Sequence, residues 1–85
     1  MGKEKTRDKI FKFLVEKELK NYTDYDSEFV TSNTEIGELG LDSLDVLEAI
    51  MGAEEEFDIE IPDNKFQNAR TVGDIVDAIC DCLKD

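Results

Sequence analysis

The chain has 85 residues, enough for one small domain over its whole length, 1–85, and its 22 acidic against 10 basic residues give a net charge of −12. That balance excludes nucleic acid and anionic membrane as natural partners, since phosphate contacts need Lys and Arg, and it favours proteins that present basic patches. The absence of histidine removes the usual general base for a serine or cysteine nucleophile and the commonest metal ligand.

No apolar run approaches membrane-spanning length, and "MGKEKTRDKI" lacks the apolar core of a signal peptide, so a cytoplasmic protein is expected. Residues 4 to 20 read as a first helix. Ile10, Phe13 and Leu14 recur at helical spacing, Phe11 flanks them, and Lys and Glu fill the other face. The next segment, "NYTDYDSEFVTSNTEIGELG", has little periodicity and many turn formers. It reads as a long ordered loop pinned by Phe29, Val30, Ile36 and Leu39.

A second helix is expected from the Asp42–Ser43 junction to about Phe57. Asp42 can cap the first amides, and Asp45 stands three residues later in capping-box position. Leu44, Leu47, Ile50, Met51 and Phe57 supply an apolar stripe, with core packing expected for Leu47 and Phe57. Asp45, Glu48, Glu54, Glu55 and Glu56 supply an acidic face. "DIEIPD" alternates like a strand but has no partner, so an extended connector is expected. Pro62 and Asp63 open a short helical turn, Asn64 to Asn68, with Phe66 inward.

Thr71 caps a last helix, with Asp74 at its third position. Val72, Ile75, Val76, Ile79, Cys82 and Leu83 share one side. Cys80 and Cys82 point about 200° apart on that helix, which suits neither a disulfide nor a shared metal, and Cys80 is expected to be the more exposed. The fold class is therefore all-α: a small four-helix bundle of three main helices and a short third one, with a long loop between helices one and two.

Two constellations bear on chemistry. From Asp24, "DYDSEFVTSNTE" sets acids at positions 1, 3, 5 and 12 of a calcium-loop register. The sixth position, which needs glycine, is Phe29, and the eighth, normally apolar, is Thr31. No metal site is expected there or elsewhere. The second constellation is Ser43, at the start of the second helix. Without histidine and without a G-x-S-x-G elbow it is poorly equipped to attack, so no catalytic residue is expected. A helix start, with free amides and the positive end of the dipole, suits a serine that receives a phosphodiester.

"LGLDSLDVLEAIMGAEEEFDIEIPD", residues 39 to 63, resembles the signature of acyl carrier proteins. The likeness extends over nearly the whole chain, to the "T-V-x-D-I" opening of the last helix. The resemblance implies a non-enzymatic carrier. Ser43 would bear 4′-phosphopantetheine, whose thiol holds acyl groups as thioesters, and Asp42 and Leu44 complete the motif. It further implies a docking face of Leu44, Asp45, Glu48, Met51, Glu54 and Glu55, and an acyl pocket of Ile50, Ile61, Phe66 and Ala69. Expected partners are a phosphopantetheinyl transferase and acyl-processing enzymes with basic patches, met by a monomer. The chain departs from the usual pattern where Phe66 is larger and Ala69 smaller, which leaves cargo length open. Fatty-acid chemistry, a specialised polyketide, lipid-modification or aminoacyl pathway, and an acidic helical interaction module without a covalent group all remain readings of the sequence.

Overall fold

The computed structural model describes residues 3–83, with side chains described from residue 6 onward. Three α-helices carry the fold: α1 (Lys3–Phe13), α2 (Ser43–Phe57) and α3 (Val72–Cys82). Among the described residues there is no β-strand, and the only ladder element is an isolated antiparallel bridge between Glu35 and Thr71. The all-α expectation therefore holds. The short third element is a 3₁₀ turn at Asp63–Lys65, slightly earlier than Asn64 to Asn68, and Phe66 follows it half-buried against the core.

The first helical segment keeps its expected length but not its expected regularity. Beyond Phe13 the chain widens into a π turn, Leu14–Glu18, closed by Leu19 N–H donating to the Leu14 carbonyl, then tightens into a 3₁₀ turn, Leu19–Asn21. Here the Tyr25 hydroxyl donates to the Val15 carbonyl at 2.5 Å, so the widened turn is held by a side chain from the following loop. Burial of that phenol pushes its pKa up to about 12.

The core gathers Ile10, Leu14, Val15 and Leu19 from the first segment, Val30, Ile36 and Leu41 from the loop, Val46, Ala49, Ile50 and Ala53 from α2, Ile61 from the connector, and Val72, Ile75, Val76, Ala78 and Ile79 from α3. Each large aliphatic side chain so buried contributes about 1.5–3 kcal/mol relative to exposure. Phe57 covers one edge of this core, half-buried, in an edge-to-face contact with Phe13 at 5.3 Å between ring centres.

Two expectations about apolar side chains need correction. Leu47, expected in the core, is 40 % exposed, and Leu44 and Met51 of the same stripe are 61 % and 56 % exposed. α2 instead buries Val46, Ala49, Ile50 and Ala53, a second stripe at i, i+3, i+4 and i+7. Its two alanines allow close packing, while the bulkier stripe is left to solvent. Phe29, expected to pin the loop, is 79 % exposed. Val30 and Ile36 do the pinning, with Leu39 half-buried. Cys80 and Cys82 are both half-buried and packed against the core.

The long loop is ordered by backbone pairing with the start of α3. Ile36 N–H donates to Arg70 O at 2.8 Å, Val72 N–H to Thr34 O at 2.9 Å, and Gly73 N–H to Ser32 O at 2.9 Å. A Cβ on Gly73 would lie 2.8 Å from that Ser32 carbonyl oxygen, so the close approach requires glycine. The Asp24–Glu35 stretch holds a 3₁₀ turn at Ser27–Phe29, whose Glu28 N–H is capped by the Asp26 carboxylate at 3.0 Å. Among the described residues no group of three or more Cys, Asp or Glu is placed to hold a metal ion.

The remaining local expectations follow from capping chemistry and are met. Thr71 Oγ1 accepts from Asp74 N–H at 3.2 Å, and Asp74 Oδ2 accepts in return from Thr71 N–H at 3.1 Å and Arg70 N–H at 2.9 Å. These backbone amides hold the Asp74 carboxyl below its ordinary pKa. "DIEIPD" is an extended connector, entered through Asp58 in the left-handed region (φ 55°) and fastened by Ile61 N–H donating to Glu54 Oε2 at 2.8 Å.

Candidate functional site

Asp42 and Asp45 bracket Ser43 with a reciprocal cap. Asp42 Oδ1 accepts from Asp45 N–H at 3.0 Å, and Asp45 Oδ2 accepts from Asp42 N–H at 3.2 Å. Both carboxylates are thereby occupied in fixing where α2 begins. Ser43 becomes its first residue, exposed, and among the described residues no hydrogen bond engages its hydroxyl. The amides of the first turn have no intrahelical acceptor and lie at the positive end of the helix dipole.

Ser43 opens onto a cleft of about 400 Å³. Its apolar lining is Ile36, Leu41, Val46, Phe66 and Ala69, and its charged lining residues are Glu35, Asp42 and Arg70. Of the residues expected around the serine, Asp42 lines the cleft and Leu44 does not. Of those expected to line an acyl pocket, Phe66 and Ala69 are present. Ile50 and Ile61 are buried in the core and do not line it. The sequence reading missed Ile36, Leu41, Val46 and Arg70. The first two were hidden by the loop, whose course no periodicity reveals, and Val46 by the choice of the wrong stripe on α2.

A second, acidic cleft of about 660 Å³ runs along the other side of α2. It is lined by Glu48, Met51, Gly52, Glu54, Glu55 and Asp58, with Glu18 and Tyr22 from the end of the first helical segment. Tyr22 Oη donates to Glu18 Oε2 at 3.2 Å, and burial together with that acidic neighbour raises the phenol's pKa. Four of the six residues expected on a docking face therefore share one cleft. Leu44 and Asp45 lie outside it, and the Glu54 carboxylate is already engaged by the Ile61 amide. Glu18 and Tyr22 were not foreseen, because they lie in the preceding helical segment rather than on α2.

The family described as phosphopantetheine attachment site matches residues 14–79, and the chain belongs to that family. It is 46 % identical over 54 residues to an acyl carrier protein of Clostridium perfringens (strain SM101), covering 64 % of this chain and 71 % of the relative. It is 52 % identical over 56 residues to an acyl carrier protein of Caulobacter vibrioides (strain NA1000), covering 65 % and 72 %. An acyl carrier protein of Clostridium acetobutylicum matches at 54 % identity over a shorter stretch of 44 residues. The prosthetic group of the family is covalent 4′-phosphopantetheine, and the residues present suit it: an exposed serine hydroxyl at a helix start, beside a cleft with apolar walls and a cation at its edge.

Proposed function

We propose that Ser43 bears the phosphopantetheine arm and that the chain, one domain over residues 1–85, is a monomeric cytoplasmic acyl carrier without catalytic activity of its own. The arm supplies a terminal thiol that holds acyl groups as thioesters. The chain's own residues do the rest: the Asp42–Asp45 cap fixes the turn, the turn presents Ser43, and the cleft lined by Phe66 and Ala69 receives the apolar part of the load. The observation that carries this reading is the exposed, unengaged hydroxyl of Ser43 at the first position of α2, on the rim of that cleft.

The docking face comprises Glu48, Glu55 and the exposed side chains of Leu44, Leu47 and Met51. Its partners are a phosphopantetheinyl transferase and acyl-processing enzymes with basic patches, of fatty-acid type. A net charge of −12 suits brief encounters steered by long-range attraction. The absence of histidine and family membership together favour a carried serine over a catalytic one. No helix among the described residues is long and apolar enough to cross a membrane.

Incubation of the apo protein with coenzyme A and a phosphopantetheinyl transferase, followed by intact-mass measurement, is the test. One arm's worth of added mass is expected, absent from Ser43→Ala. A gain that persists in Ser43→Ala, or no gain in either protein, overturns the assignment.

A further inference from the structure

Arg70 is the one basic residue among those lining the cleft beside Ser43. Its backbone is fixed at both ends: its carbonyl accepts from Ile36 N–H at 2.8 Å, and its own N–H donates to Asp74 Oδ2 at 2.9 Å. The side chain forms no ion pair among the described residues, though its charge helps hold the Asp74 carboxyl low. The ion pairs among the described residues are Arg7 with Asp77 and Lys65 with Asp81, and neither involves Arg70. Two neighbouring acids already accept backbone hydrogen bonds, Asp74 from the amides of Arg70 and Thr71, and Asp42 from the amide of Asp45. Glu35 is the remaining acid on the cleft edge. A chain with 22 acidic residues thus holds, at the mouth of the cleft that Ser43 lines, a guanidinium with no ion pair among the described residues.

We propose that the Arg70 guanidinium pairs with the phosphodiester of the arm on Ser43 and lays that arm along the Phe66–Ala69 wall of the cleft. The inference rests on Ser43 as the attachment site. A phosphodiester there is an added negative charge between Asp42 and Asp45, and Arg70 is the cation of the cleft able to offset it. A guanidinium offers paired N–H donors to two phosphoryl oxygens, which an ammonium cannot reproduce. Arg70 acts as a positioning residue: it does not touch the thioester, and it sets how much of the time the arm lies against the protein.

The test compares wild-type, Arg70→Lys and Arg70→Gln proteins, each loaded with the arm and checked by intact mass and circular dichroism. The phosphorus of the arm gives a single ³¹P resonance, and the terminal thiol gives a rate of reaction with a disulfide reagent. The wild-type resonance is expected to be the broader and displaced from that of free phosphopantetheine. In Arg70→Gln it should narrow and move to the free position, with the thiol reacting roughly two- to five-fold faster, the worth of an exposed ion pair. Arg70→Lys should fall between, and ~1 M salt should bring wild type to the Arg70→Gln values. Loaded proteins whose resonances and thiol rates coincide at low salt overturn the contact and leave Ser43 standing. Failure of the wild type to load removes both.

Discussion

The Tyr25 hydroxyl spans ten positions to bond the Val15 carbonyl, and in doing so a loop residue holds the π turn of the first helical segment. Tyr25→Phe leaves that carbonyl without its donor, at a cost of about 1–3 kcal/mol in chemical denaturation. The effect depends on pH. Folding raises the phenol's pKa from 10.0 to about 12, so the contribution is complete below pH 10 and is lost as pH climbs towards 12. The stability gap between wild type and Tyr25→Phe should therefore be constant to about pH 10 and close above it. A gap that widens through that range would contradict the assignment.

At α3 the sign is opposite. The Asp74 carboxyl is held below its ordinary pKa by the Arg70 and Thr71 amides, so its contribution is present above the unfolded value and fades as pH falls through the lower folded one. The stability difference between wild type and Asp74→Ala should be constant above about pH 5 and shrink below about pH 4. Thr71→Ala removes the other half of the cap and should cost ~0.5–2 kcal/mol near neutrality.

Gly52 and Gly73 should respond in opposite directions to alanine. At Gly52 the added Cβ meets the Glu18 carboxylate, the far end of a flexible side chain that can swing into solvent. Removing a mid-helix glycine then stabilises α2 by up to about 1 kcal/mol. Displacing Glu18 also breaks its bond with Tyr22, so the Tyr22 phenol should titrate closer to its ordinary value by ultraviolet absorbance. At Gly73 the obstacle is the Ser32 backbone, and Gly73→Ala should cost about 1–3 kcal/mol in thermal melting.

The proposed docking face separates stability from association. Leu47→Ala and Met51→Ala trim exposed side chains and should leave stability within about 0.5 kcal/mol. Both should weaken binding to the transferase in calorimetry. Glu48→Lys should instead act on the association rate, slowing it several-fold at low salt in stopped-flow measurements, with the deficit shrinking towards ~1 M salt.

What the sequence made legible was whatever is written locally. The two capping boxes, Asp42 with Asp45 and Thr71 with Asp74, are decided by side chains three residues apart, and both are present. The orientation of α2 is decided elsewhere. Leu44, Leu47 and Met51 form one apolar stripe and Val46, Ala49, Ile50 and Ala53 another, and only the close approach of the other helices selects the smaller residues for the core. The π turn depends on a loop tyrosine, and the cleft depends on that loop's pairing with α3, so both are tertiary facts that no window of residues contains. Ser43 was legible because its surroundings are its neighbours in sequence. Arg70 was not, because it reaches the same cleft from 27 positions further along the chain.

The stitching of the loop to α3 divides the cleft mechanically. Ile36 and Arg70 are joined by a backbone hydrogen bond, whereas among the described residues no hydrogen bond joins α2 to the segment 66–70. Val46 of α2 and Phe66 both line the cleft, and attraction between such apolar walls is non-directional. Among the described residues no directional bond therefore sets the gap between them, while the turn that holds Ser43 and the segment that holds Arg70 keep their own bonds. The cleft is thus stitched by hydrogen bonds across one boundary and left unstitched across the other.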